Sequence, residues 1–176
     1  PHLVGAITGL LSPLLAHCRM LRSFLGENIA IVFIGPCIAK QVEADQHPDL
    51  LDLALTFEDL RIWLAAERID PRELTAGEQN RFIPEAAEEG ALYPVDGGMI
   101  AGIQAHCSVD DGCFMSFSGQ EAVEKALDGL EELSTQGLFL ELLACEGGCV
   151  NGPRVTRPGS TVAKRHRVLT TALAGG

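Results

Sequence analysis

Hydrophobic residues along the chain occur either in short unbroken runs or at helical spacing. The runs, rich in β-branched and aromatic residues, predict strands at residues 29–34, 51–55, 113–117 and 138–143. Unbroken runs are typical of parallel strands that are covered on both faces. Because helical spacing follows each strand, the pattern favours an α/β fold, a layered and largely parallel sheet flanked by helices.

Capping residues predict where the helices start. Pro13 begins a helix that runs to about residue 25, and Thr56 caps a helix over residues 57–69, with Asp59 at its third position. Ser118 and Glu121 have the spacing of a capping box for a helix that runs to about residue 133. Further helices are predicted over residues 37–45, 97–106 and 161–174.

The apolar spacing of these helices also predicts which faces are buried. In the helix after Ser118 the predicted buried face is Val123, Ala126, Leu127, Leu130 and Leu133. Phe57 and Trp63 are expected on the buried face of their helix, and Cys18 in core packing. The basic run at residues 164–167 is expected to be a solvated helix face.

Residues 70–96 interrupt this regular pattern. Three prolines and a group of glutamates predict a surface excursion with at most short helices. The length of 176 residues suits a single domain that spans residues 1–176.

Composition and charge narrow the range of functions. The formal net charge is −11, and an acidic surface disfavours nucleic acid and anionic membranes as partners. No apolar stretch approaches the roughly 20 residues of a membrane span. No secretion signal is visible, so a cytoplasmic location is expected. Six cysteines in a chain with a generous core predict that some of them ligate a metal or cluster, rather than forming a disulfide scaffold.

Two cysteines lie in a glycine-rich segment after the fourth predicted strand, ELLACEGGCVNGP. Cys145 and Cys149, separated by Gly147 and Gly148, can point both sulfurs at one centre. The glycines permit positive φ, close approach of a bulky inorganic group, and donation from backbone amides to it. The alternative is a glycine-rich turn with two incidental thiols.

Cys37 follows the first predicted strand and starts the next helix, a position that favours thiolate. Both cysteine segments thus fall at the carboxyl ends of strands, where ligands gather in open α/β sheets. Lys40 can donate to an anionic ligand, and Glu43 is spaced to pair with it. The alternative is a core cysteine with a surface Lys–Glu pair. Three soft ligands are one short of the four that zinc or a 4Fe-4S cluster takes.

These segments resemble a known family. GPCIAK with Glu43, and Glu141-x3-Cys145-x2-Gly148-Cys149-x2-Gly152, are similar in sequence and order to two of the three signature segments of the FeFe (iron-only) hydrogenase large-subunit catalytic domain. Residues 55–60 (LTFEDL) and 97–103 (GGMIAGI) also look like that family. The fold that the resemblance implies is part of the hydrogenase cluster-domain architecture.

The resemblance implies a cofactor and a role for each matching residue. Cys37, Cys145 and Cys149 would bind a 4Fe-4S cubane, and Cys149 would also bridge to a diiron subcluster, which together form the H-cluster. Lys40 would hydrogen-bond a diatomic ligand of the subcluster. Iron–sulfur electron-transfer domains or proteins would be the partners. The first cysteine segment would lie upstream of Pro1, so the chain is expected to be an incomplete, inactive piece of the domain.

Two departures from the catalytic pattern keep other functions open. Gly35-Pro36-Cys37 stands where catalytic members have Met-Pro-Cys, and residues 151–153 (NGP) stand where they have a glycine run. Both departures resemble a divergent, sensory branch that is joined to signalling domains. The functions to be separated are therefore reversible dihydrogen oxidation, hydrogen or redox sensing with little turnover, and a structural protein that holds zinc or no metal.

The other cysteines match neither motif. Cys107 and Cys113, with His106, flank an acidic turn and could chelate a metal, but ordinary thiols or a disulfide are the simpler expectation.

Overall fold

Two pairs of parallel strands organise the computed structural model, which describes residues 9–75, 77, 82–84, 87–106, 113–130, 137–155 and 158–174. Strand β1 (Val32–Gly35) pairs with β2 (Leu53–Thr56), and β3 (Cys113–Ser118) pairs with β4 (Leu138–Leu143). Six α-helices accompany these strands in the described residues: α1 (Pro13–Leu25), α2 (Ala39–Gln46), α3 (Phe57–Ala66), α4 (Gly98–His106), α5 (Gln120–Gly129) and α6 (Thr161–Ala174). The predicted α/β class with parallel strands is confirmed.

The chain divides into two compact units, Pro1–Trp63 and Leu64–Gly176. The expectation of one partial domain over residues 1–176 stays a prediction. In the first unit, α1 and α2 pack on the β1–β2 pair around a core that contains Cys18, which is fully buried as predicted. The other buried members of this core are Leu15, Ile31, Ala44, Leu50, Leu51 and Ala54.

A buried arginine joins α1 to the β1–β2 pair. The Arg22 guanidinium donates to the carbonyl oxygens of Leu50 (3.1 Å) and Ile29 (2.9 Å), and to Asp52 Oδ2 (2.8 Å). Asp52 Oδ2 also accepts the backbone N–H of Ile31 at 2.7 Å, and this bond contributes most to lowering the pKa of Asp52. These bonds occupy the backbone just before the strand, so β1 begins at Val32 rather than at residue 29.

One face of the β1–β2 pair is open to solvent. Val32, Ile34 and Leu53 are 45%, 39% and 47% exposed. The prediction that these strands are covered on both faces is therefore wrong. The burial predicted for Phe57 and Trp63 is also wrong, because Trp63 is 55% exposed and α3 has no buried residue. Spacing shows which residues share a face, but not whether another layer covers that face.

The start of α3 was predicted correctly. Thr56 Oγ1 accepts the backbone N–H of Asp59 at 3.1 Å, and Asp59 Oδ2 accepts the backbone N–H of Thr56 at 2.8 Å. These reciprocal bonds satisfy two backbone donors at the helix end.

In the second unit, β3 and β4 pair along their full length. The rings of Phe114 and Phe139, which are register partners, lie 5.7 Å apart between centroids. Val123 and Leu127 of α5 are half-buried, as are the other described members of the predicted face; Leu133 lies outside the described residues.

The capping box predicted at Ser118 is wrong. Ser118 is the last residue of β3, and Gly119, at φ 91°, precedes α5 without a side-chain cap. The Ser118 hydroxyl instead bonds Asp96 and Gly147.

The surface excursion over residues 70–96 stays a prediction, because only part of the segment is described. That part contains a 3-10 helix, Glu88–Leu92, and the described residues 71–84 are exposed. The segment returns to the core at Val95, which is 3% exposed. Within the described ranges, none of the helices has the length and apolar character that a membrane span requires.

Candidate functional site

The two cysteines after β4 lie on one short loop. Cys145 is two residues past the end of β4, and Cys149 opens a 3-10 turn, Cys149–Asn151. The loop closes on itself, because Gly148 N donates to the Cys145 carbonyl at 3.0 Å and Gly152 N donates to that of Cys149 at 2.9 Å. Both cysteines are half-buried and neither forms a disulfide.

The two glycines between the cysteines have the predicted positive φ, 75° at Gly147 and 95° at Gly148. A Cβ on Gly148 would lie 2.6 Å from the Pro94 carbonyl oxygen, and one on Gly147 would lie 2.7 Å from Thr161 Cγ2. A side chain at position 148 would therefore clash with backbone, and one at position 147 would displace the Thr161 side chain. Their amides donate to Ser118 Oγ and to the Cys145 carbonyl. Contact of these glycines with a cofactor stays a prediction.

Ser118 and Asp96 fasten the first half of the loop. Ser118 Oγ accepts the N–H of Gly147 and donates to Asp96 Oδ2, both at 2.9 Å. Asp96 Oδ1 accepts a second bond from the Ser116 hydroxyl. Two alternate residues of β3 therefore hold one carboxylate, which in turn orients the hydroxyl that supports the loop.

Helix α6 fastens the second half. Asn151 Nδ2 donates to Thr161 Oγ1 at 2.8 Å, and Lys164 Nζ donates to Asn151 Oδ1 at 3.0 Å. Arg165 donates to the Asp96 carbonyl at 3.2 Å. The prediction that residues 164–167 are simply a solvated face is thus wrong for two of them. Lys164 binds the cysteine loop, and Arg165 binds Asp96, which supports that loop.

Glu141, the first residue of the second motif, is a buried carboxylate. It is 3% exposed and accepts the backbone N–H of Ile100, in the first turn of α4, at 3.2 Å. Burial raises the pKa of Glu141, and the nearby Asp96 charge adds to the rise, against the lowering effect of the backbone N–H donors of α4. Glu141 therefore ties β4 to the helix N-terminus, which favours negative charge.

Cys37 lies in the first unit, two residues after β1 and two before α2. Lys40, on the first turn of α2, forms the predicted ion pair with Glu43, at 2.5 Å between Nζ and Oε2. Burial alone would raise the pKa of Glu43, but hydrogen bonds from Lys40 and Ser12 and the Lys40 charge outweigh it and lower the pKa. The Lys40 ammonium is therefore held in place beside a carboxylate that stays ionised.

The structure places Cys145 and Cys149 on one short loop and pairs Lys40 with Glu43. Within the described ranges, no group of three or more His, Cys, Asp or Glu side chains is arranged to hold a metal ion. The meeting of all three motif sulfurs stays a prediction. Cys113 is exposed at the start of β3, whereas Cys107 lies outside the described residues.

His106, a possible metal ligand in the sequence, lies beside a glutamate. Its Nε2 lies 3.1 Å from Glu89 Oε2, beside a cavity of about 340 Å³ that Tyr93 and Ile103 help to line. The residues lining this cavity include neither motif cysteines nor Lys40.

A family comparison decides what these motifs belong to. The sequence model described as "iron only hydrogenase large subunit, C-terminal domain" matches residues 1–153, which include both cysteine motifs. The chain belongs to this family. The comparison with curated proteins finds no match.

The cysteines of the two motifs carry the type of ligand atom that the iron–sulfur cofactor of this hydrogenase family needs. Cys37, Cys145 and Cys149 are thiols, the ligand type of 4Fe-4S clusters. The loop between Cys145 and Cys149 is held in one shape by bonds from β3 and α6, which suits a rigid ligand pair.

Sequence reasoning missed the residues that support the loop. Ser118 is 29 residues from Gly147 and 22 from Asp96, so no local spacing indicates these bonds. Asn151 is a departure from the hydrogenase pattern and Lys164 belongs to a basic run, but nothing in the sequence joins the two.

Proposed function

We propose that the chain is the part of an iron-only hydrogenase-type domain that binds an iron–sulfur cluster. Cys37, Cys145 and Cys149 would hold a 4Fe-4S cubane, and Cys149 would also be a ligand of the diiron subcluster. When bound, this cofactor supplies reversible oxidation of dihydrogen, with electrons passing to iron–sulfur partner domains or proteins. The observation that carries the proposal is the Cys145–Cys149 loop, fixed at the end of β4 in a chain of this family.

The chain's own residues supply ligands, charge and rigidity. Lys40, held by Glu43, provides a cationic donor for an anionic or diatomic ligand. The positive φ of Gly147 and Gly148 allows the chain to turn sharply between two thiols. A cytoplasmic location agrees with thiols that need reduced conditions.

Cluster reconstitution in the absence of oxygen tests the ligand set. The protein is incubated with ferrous iron, sulfide and a small external thiol, and bound iron, bound sulfide and absorption near 400 nm are measured. Cys37→Ser, Cys145→Ser and Cys149→Ser are each expected to lose most of the bound iron. Cys113→Ser, which changes an exposed cysteine outside the motifs, is the matched control and should retain it.

The result also separates the competing functions. Stoichiometric zinc without iron or sulfide in anaerobically purified protein would support the structural alternative and overturn the proposal. Equal iron content in all four variants would likewise overturn the ligand assignment. We expect the cluster to be air-sensitive, since three thiolates leave one iron without a cysteine from these motifs. Absorption near 400 nm that survives air would contradict this expectation.

A sensory role is the second candidate, favoured by residues 151–153, where Asn151 replaces the glycine of the catalytic pattern and its side chain bonds α6. The full-length protein matured with its diiron cofactor separates the two roles. Dihydrogen uptake or evolution supports catalysis, whereas negligible turnover with an intact cofactor, and signalling domains in the same protein, support sensing.

A further inference from the structure

Asn151 uses all of its side-chain polar atoms, one bond within the cysteine loop and two that link the loop to α6. Nδ2 donates one N–H to the Glu146 carbonyl at 2.9 Å and the other to Thr161 Oγ1 at 2.8 Å. Oδ1 accepts from the Lys164 ammonium at 3.0 Å. An amide with both donors and its acceptor engaged is fixed in orientation.

The bond from Asn151 Nδ2 to the Glu146 carbonyl joins the two ends of the loop. Glu146 directly follows Cys145, and Asn151 ends the turn that Cys149 begins. The bond between them therefore encloses residues 147–150 and fixes the spacing of the chain around both thiols. Thr161 supports the same loop from outside, because its methyl group fills the space where Gly147 would carry a Cβ.

The third bond places a cation beside the ligand loop. Lys164 is half-buried, and its ammonium is held by a residue two positions beyond Cys149. A cluster held by thiolates is anionic and gains a further negative charge on reduction. A nearby positive charge stabilises that reduced form, so net charge and hydrogen bonding set cluster potentials.

We propose that Asn151 is a positioning residue that fixes the Cys149 turn to α6 and holds the Lys164 ammonium beside it, so that α6 raises the reduction potential of the cluster. This inference rests on the proposed cluster binding. It assigns a role to a helix, Thr161–Ala174, that lies outside the region matched by the family, residues 1–153.

Four variants separate position from charge. Lys164→Gln keeps a hydrogen-bond donor but removes the charge, and Asn151→Ala removes all three bonds. Thr161→Val removes one acceptor and keeps the shape. Gln120→Ala is the matched control, because it removes an exposed amide that lies outside the loop and whose Nε2 donates to Glu124 on α5.

Two measurements are made on each variant. The first is hydrogen exchange of the backbone amides of residues 145–152 in iron-free protein. The second is the reduction potential of the reconstituted cluster, measured in a spectroelectrochemical titration.

Lys164→Gln is expected to leave amide exchange unchanged. Loss of the positive charge should lower the ratio of reduced to oxidised cluster about threefold at a given applied potential. This corresponds to a reduction potential that is about 30 mV more negative, at 59 mV per tenfold. Asn151→Ala is expected to accelerate exchange about tenfold or more, because all three side-chain hydrogen bonds are lost, and to lower the potential as well. Thr161→Val should accelerate exchange without changing the potential. Gln120→Ala should change neither.

Two results overturn the inference. Unchanged exchange in Asn151→Ala and Thr161→Val removes the positioning role, and an unchanged potential in Lys164→Gln removes the role of the charge. If the wild type takes up no iron, the proposed function and the role of the charge fail together, while exchange still decides the positioning role. Should Asn151→Ala fail to fold, Thr161→Val and Lys164→Gln decide both parts.

Discussion

Gly148 offers the sharpest test of how the cysteine loop is built. Its backbone lies at φ 95° and ψ −166°, a region that is essentially restricted to glycine. In Gly148→Ala the new Cβ would lie 2.6 Å from Pro94 O and 3.0 Å from Asp96 N. Because these atoms are backbone atoms, no side-chain rotation can relieve the clash. Gly97→Ala is the matched control, because Gly97 also has positive φ, 81°, but its Cβ would meet open space.

The expected cost follows from these distances. Gly97→Ala should cost about 1–2 kcal/mol of unfolding free energy, the usual penalty for a side chain at positive φ. In Gly148→Ala the loop must also move by roughly 0.7 Å to reach an ordinary carbon–oxygen contact of about 3.3 Å. That movement weakens the hydrogen bond from Val150 N to Pro94 O, now 3.1 Å. We therefore expect Gly148→Ala to cost about 3–5 kcal/mol.

Urea unfolding followed by far-ultraviolet circular dichroism measures both costs. The same preparations are then tested for bound iron after reconstitution. Gly148→Ala should lose stability and most of its iron, whereas Gly97→Ala should lose little iron. Equal stability of the two variants would refute the packing argument, because it would show that the space beside Pro94 is not filled by backbone.

Three further predictions concern ionisation and stability, each measured by urea unfolding. Burial raises the pKa of Glu141 above its usual 4.5, so the stability of the wild type relative to Glu141→Gln should fall as the pH rises above that value. A rising difference would contradict the direction of the shift. Arg22→Met should cost about 2–4 kcal/mol, because buried carbonyl oxygens lose their donor, against under about 0.5 kcal/mol for the exposed control Arg19→Met. Equal costs would show that the Arg22 bonds do not stabilise the unit. Thr56→Ala should cost about 1 kcal/mol through loss of the helix cap, and no change would refute the capping role.

The expected fall in stability at Glu141 follows from the coupling between proton binding and folding. A carboxyl group whose pKa is raised by folding binds its proton more tightly in the native state than in the unfolded state. Its favourable contribution is therefore complete below the unfolded pKa and is lost as the pH rises through the native pKa. The variant Glu141→Gln keeps an oxygen acceptor for the N–H of Ile100 but no longer titrates, so the difference isolates this group.

The loop departs from the simplest picture of a glycine-rich ligand loop. Gly147 and Gly148 were predicted to bring backbone amides to a cofactor, but their N–H groups bond Ser118 and Cys145. Side chains at these two positions would meet the Thr161 methyl group and the Pro94 backbone. The loop is thus kept rigid by the surrounding protein.

The sequence by itself determined the features that depend on nearest neighbours. The α/β order, the extent of β4 and α6, the Thr56 cap and the Lys40–Glu43 pair were all predicted, because each rests on residues within a few positions of one another. The hydrogenase-type motifs were found in the same way, since a cysteine motif is a local spacing.

Only the tertiary structure decided what depends on distant segments. The bonds of Arg22 and the placement of Asp96 beside Ser118 join residues far apart in the chain. The exposure of Trp63 could not be predicted either, because a helical pattern does not show whether another layer covers it. The physical reason is the same in each case. A side chain's spacing limits which neighbours it can reach locally, whereas burial and long-range hydrogen bonds depend on where the rest of the chain folds.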